Sequence, residues 1–149
     1  MPENVDRHNR KIDYLRVSIT DRCNLRCCYC MPAGGVDLVK HGDILRYEEI
    51  LRVVRVFASM GLTKVRLTGG EPLLRKDVCH LVERIVKLGG IQDVGITTNG
   101  VRLKNMAQPL LDAGLRRINV SLDTLNPLKF RKITGTALHA ELGSKAAPL

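Results

Sequence analysis

Cys23, Cys27 and Cys30 stand in the run Asp21-Arg22-Cys23-Asn24-Leu25-Arg26-Cys27-Cys28-Tyr29-Cys30, with three and then two residues between them. At that spacing a single loop can turn three thiolates toward one metal centre. Three protein ligands for a cluster of four irons leave one iron open, and an open iron can bind a substrate as well as pass electrons. Zinc is the competing metal. A structural zinc site wants four protein ligands, commonly as two separated pairs, and no second pair exists in this chain. Cys79 stands alone in a helical pattern and reads as a small core residue, while Cys28, next to a ligand, should point away.

The loop must be held by something, and the flanking sequence supplies it. Residues 14–20, 64–68, 93–97 and 117–123 alternate apolar and polar side chains and are rich in β-branched residues, the pattern of four strands. Between them, residues 47–58 and 78–88 carry apolar side chains at helical spacing and end at Gly61 and at Gly89-Gly90. A third helix is expected around 103–113, interrupted by Pro109, and a short fourth starts near Pro127 with Asn126 as its N-cap. Repeated strand, helix, strand units imply parallel strands joined by right-handed crossovers, so the fold class is α/β. Periodicity alone leaves an open doubly wound sheet and part of a barrel as alternatives.

Each strand sorts into two faces, because successive side chains point to opposite sides. Leu15, Val17, Ile19, Val65, Leu67, Val94, Ile96, Ile118, Val120 and Leu122 form the apolar face, expected under the helices. Arg16, Ser18, Thr20, Arg66, Thr68, Thr97, Asn119, Ser121 and Asp123 form the other. An ordinary barrel interior is filled with branched aliphatics. This one is polar, and the expectation is that a polar ligand occupies it, with solvent exposure of that face as the alternative. Two arginines on different strands favour an anionic ligand, since each offers a planar, permanently charged fork of donors.

Composition narrows the partners. With 24 Lys and Arg against 15 Asp and Glu the chain carries a net charge of +9, yet the basic residues are scattered and aromatic residues make up only 3%. That argues against nucleic acid, which is bound through basic runs and aromatic stacking platforms. A small polyanion fits better. No apolar run approaches the length of a membrane span, and residues 1–4 lack the apolar stretch of a signal peptide, so the cytoplasm is the expected location. Five cysteines there are metal ligands or free thiols before they are disulfides.

The cysteine loop after a first strand, with Tyr29 just before the last cysteine, resembles the radical S-adenosylmethionine (SAM) superfamily. Asp13-Tyr14-Leu15-Arg16, Lys64-Val65-Arg66-Leu67-Thr68-Gly69-Gly70-Glu71-Pro72, Ile96-Thr97-Thr98-Asn99-Gly100 and Asn119-Val120-Ser121-Leu122-Asp123-Thr124 together resemble its GTP 3′,8-cyclase family, which acts in molybdenum cofactor biosynthesis. The resemblance implies a partial (β/α) barrel with about four units present. It implies a [4Fe–4S] cluster on Cys23, Cys27 and Cys30 whose open iron takes SAM. It places Tyr29, Gly69, Gly70 and Ser121 at SAM and Arg16, Arg66 and Thr97 at GTP. The implied reaction is that of a lyase: an electron donor reduces the cluster, SAM gives a 5′-deoxyadenosyl radical, and that radical takes the ribose 3′ hydrogen of GTP before C8 is attacked.

The chain departs from that family in two respects. Family members are about twice as long and carry a second three-cysteine cluster, whereas after Cys30 this chain has only Cys79. The expected domain is therefore an incomplete radical SAM core over 1–135, followed by a divergent, disordered tail over 136–149. No cyclised GTP is expected from this chain alone. A different radical SAM enzyme and a non-catalytic iron–sulfur or zinc-binding fragment are the alternatives.

Overall fold

The computed structural model describes residues 4–32 and 35–135, so the expected tail over 136–149 lies outside the described residues. The strands are β1 (Tyr14–Ser18), β2 (Lys64–Thr68), β3 (Asp93–Thr98) and β4 (Arg117–Val120). The helices are α1 (Tyr47–Ser59), α2 (Val78–Val86), α3 (Leu103–Asp112) and α4 (Pro127–Thr134). All four strands are parallel and lie in the order β1-β2-β3-β4, a curved α/β sheet of the partial-barrel kind.

The core lies on one face of that sheet. Ile50, Leu51 and Val54 of α1, Val78, Leu81, Val82 and Ile85 of α2, and Leu110 of α3 pack with Val65, Leu67, Val94 and Ile96 in one cluster, with Leu15 and Val17 at its margin. Burying each such side chain contributes about 1.5–3 kcal/mol. Cys79 packs half-buried against this cluster, as expected of a core residue.

Two expectations need correction. Ile118, Val120 and Leu122 are not under helices but 36, 46 and 40% exposed, because β4 is the edge of the described sheet and α4 turns its apolar side elsewhere. Consecutive crossovers carry α1, α2 and α3 to the same side, over the apolar face as expected, and no described helix covers the polar face. Finally, α3 runs through Pro109 instead of being interrupted there. Proline removes the bond to the Asn105 carbonyl, but both residues are exposed, so water can take that acceptor.

Helix α4 folds back toward the sheet's C-terminal end. Asn126 Oδ1 accepts from Leu128 N and Lys129 N at 3.0 Å each, which caps the helix as its sequence suggests. Phe130 packs with Leu25 and Val101 in a second cluster, against which Cys23 and Cys27 also lie. Arg26 N donates to Thr134 O and Cys28 N to Ile133 O, each at 2.9 Å. The cysteine loop is thus backed by a helix from the far end of the described chain. Among the described residues no helix is long and apolar enough to cross a membrane.

Candidate functional site

The site forms where the parallel strands end. After β1 the chain passes Thr20 and enters the cysteine loop; after β2 it passes Gly69 and Gly70. These two stretches touch through backbone, with Gly70 N donating to Thr20 O at 2.6 Å and Glu71 N to Arg22 O at 2.7 Å. Glycine is required there. A Cβ on Gly69, whose φ is +148°, would lie 2.3 Å from Thr20 O, and one on Gly70 would lie 2.3 Å from Arg22 O.

A cavity of about 440 Å³ opens beside this junction. Cys23, Cys27, Tyr29, Cys30, Gly69, Gly70, Thr97 and Ser121 all line it, so eight of the ten expected site residues share one space. Cys28 is exposed and lies outside the cavity lining. Arg16 and Arg66 are not part of the lining either. They sit one tier nearer the strands' N-terminal ends, where the register sets Arg16, Arg66, Gly95 and Arg117 in one row across the sheet. Arg66 is 8% exposed and donates to Asn119 Oδ1 at 2.9 Å. Gly95 makes its room: a Cβ there would meet the Arg66 guanidinium at 2.6 Å.

The thiols suit a cluster. A single zinc ion wants its ligands gathered about one point, and among the described residues no three His, Cys, Asp or Glu side chains are so gathered. A four-iron cluster takes each thiolate on a different iron, and Cys23, Cys27 and Cys30 all line the one cavity. Burial pushes the Cys27 thiol up, and neighbouring Cys30, Cys23 and Asp123 add to the rise against an opposing hydrogen bond from Tyr29. Bound iron would reverse that balance, since a cation stabilises thiolate.

Two residues the sequence reading passed over tie the site together. Glu71 is 1% exposed, and its carboxyl accepts from Leu73 N at 3.0 Å, Thr98 Oγ1 at 2.7 Å and Asn99 N at 2.7 Å. It therefore locks the end of β3 to the turn after β2. Asn99 Nδ2 donates to Asn24 Oδ1 at 2.8 Å and reaches Cys23 Sγ at 3.9 Å, joining β3 to the cysteine loop. The readable signal for Glu71 was a carboxylate directly before Pro72, the N-cap and N1 of a short helical turn over Pro72–Leu74. For Asn99 it was only the turn dipeptide Asn99-Gly100.

A parallel sheet with a three-cysteine loop at the carboxyl end of its first strand defines a class of iron–sulfur enzyme fold. The description of the radical SAM superfamily matches residues 17–142, and the chain belongs to that superfamily. The chain is 57% identical over 134 residues to a GTP 3′,8-cyclase of Thermodesulfovibrio yellowstonii, covering 89% of this chain and 42% of that protein. A Petrotoga mobilis protein of the same name is 52% identical over 145 residues, covering 96% and 45%. The chain thus spans less than half the length of these curated relatives. Among solved structures it superposes on BtrN in complex with AdoMet with a TM-score of 0.62 at 22% identity, covering 83% of this chain and 51% of that one. It superposes on Streptococcus suis SuiB bound to precursor peptide SuiA with a TM-score of 0.64 at 23% identity, covering 83% and 27%. Both share the fold.

Proposed function

We propose that the cavity holds a [4Fe–4S] cluster and SAM, and that the chain provides this part of a GTP 3′,8-cyclase. One observation carries the reading: three cysteines, a glycine pair, Thr97 and Ser121 from four different chain segments line one cavity. The identity to proteins of that name supports the substrate. When bound, the reduced cluster and SAM supply a 5′-deoxyadenosyl radical able to take the ribose 3′ hydrogen of GTP.

The chain's own groups hold the reactants in line. Cys23, Cys27 and Cys30 carry the cluster. Gly69 and Gly70, with no Cβ, leave backbone accessible to the amino-acid part of SAM, while Tyr29 and Ser121 border the same space. Thr97 lies at the cavity wall, one tier above Arg66 and Arg16, whose fixed charges suit the phosphates of GTP. Fixing the radical source next to its target contributes most of what a protein can offer here.

The experiment is an anaerobic incubation of the reconstituted chain with reductant, SAM and GTP. Methionine and 5′-deoxyadenosine should appear, and GTP should bind in competition with GDP but not with a peptide. A loaded cluster with no SAM cleavage and no GTP binding would sink the reading. Modification of a peptide in place of GTP would assign the site to another radical SAM chemistry.

A further inference from the structure

We propose that the outer face of α4 is the docking surface for an acidic one-electron carrier protein, through which the cluster is reduced. The inference rests on the cluster assignment above and adds where the electron enters.

Helix α4 has two unlike sides. Its inner side carries Phe130, packed beside Cys23 and Cys27, and its backbone carbonyls at Ile133 and Thr134 accept from Cys28 and Arg26 of the cysteine loop. Its outer side exposes Lys129, Arg131 and Lys132, with exposed Arg26 adjoining. No acidic residue occurs between Asp123 and Glu141 or between Asp21 and Asp37, so both stretches of sequence are basic. Leu125 and Leu128 are each 76% exposed on the same stretch, the most exposed large apolar side chains of the described chain.

That combination specifies the partner. Exposed leucines on the same stretch as exposed arginine and lysine have the composition of a protein contact, and the positive charge selects an acidic partner and speeds its encounter. Nucleic acid is disfavoured, since the face offers no aromatic side chain for base stacking. Position gives the docking its purpose. A helix is about 10 Å across, so a carrier seated on α4 stands one helix thickness from the thiolates of Cys23 and Cys27. One electron leaves the carrier's reduced prosthetic group, and the cluster gains it. No bond is made and no proton moves.

The test compares two reductants on the chain with its cluster reconstituted, following loss of the oxidised cluster's absorbance in stopped flow. Reduced plant-type ferredoxin is the protein probe and dithionite the small one. The double change Arg131→Glu and Lys132→Glu should slow reduction by ferredoxin about tenfold or more at low ionic strength and abolish its salt dependence. Reduction by dithionite and the iron content should stay unchanged. Equal slowing with both reductants, or none with either, overturns the proposal; the first shows α4 to be a structural brace and the second places the entry point elsewhere. Loss of the cluster in the double variant alone would likewise make these charges structural and overturn it. A wild-type chain that takes up no iron and sulfide refutes the cluster assignment itself, a result separate from either.

Discussion

The Tyr29 hydroxyl donates to Asp123 Oδ2 at 2.8 Å, joining the cysteine loop after β1 to the segment after β4, 94 positions later. Both residues line the cavity. The bond also holds the hydroxyl in its protonated form: the Asp123 carboxylate first, then burial and Cys27, raise Tyr29 well above the ordinary tyrosine range. A group whose folded pKa is raised contributes stability that is complete below its unfolded value, near 10, and is lost as pH rises toward the folded value. Tyr47 is pushed up to about 12, chiefly by burial. In a spectrophotometric titration, Tyr29→Phe and Tyr47→Phe should therefore leave the tyrosinate signal at pH 10 unchanged. A reduced signal in Tyr29→Phe at that pH would contradict the bond to Asp123.

Glu71 is the buried tie between β2 and β3. Glu71→Gln keeps the shape but sets an amide NH2 against three donors, so at least one of those bonds is lost. Urea unfolding should show a loss of about 2 kcal/mol. An unchanged midpoint would mean that the carboxyl is not the acceptor the geometry makes it.

The glycine pair makes a sharper comparison. Gly69→Ala and Gly70→Ala each drive a methyl into the Thr20–Arg22 backbone, whereas Gly89→Ala meets nothing within 4 Å. The first two should cost more than about 2 kcal/mol each, and the third should be neutral or mildly stabilising. Equal effects at all three positions would remove the packing argument for the pair.

Much of this was legible in the sequence, for identifiable reasons. Alternation in β2 and the helical spacing of α1 gave their ends to the residue or nearly so, because both patterns sit on a single buried core. Asn126 announced the start of α4 by its side chain. Three things were not legible. Alternation in β4 marks a strand but says nothing of what covers it, and Ile118, Val120 and Leu122 proved exposed. Arg16 and Arg66 belong to the polar face, yet their tier relative to Thr97 depends on strand register, which composition does not encode. The ties that Glu71 makes to Thr98 and Asn99 to Asn24 span 27 and 75 positions, beyond any local pattern.

Gly95 and Arg66 offer a test of the phosphate reading that leaves the charge in place. Arg66→Ala removes the guanidinium, and Gly95→Ala displaces it by a close contact without altering its charge. Both should weaken GTP binding, the first by about 2 kcal/mol, while SAM binding is spared. If Gly95→Ala binds GTP like the parent while Arg66→Ala does not, the Arg66 charge matters but its seat over Gly95 does not.

The cluster assignment bears everything else, and iron and sulfide content after anaerobic reconstitution tests it directly. The parent chain, Cys28→Ala and Cys79→Ala should each hold about four irons and four sulfides, while Cys23→Ala, Cys27→Ala and Cys30→Ala should each lose the cluster. A full complement surviving Cys27→Ala, or a parent chain that takes up zinc but no iron and sulfide, would contradict the account.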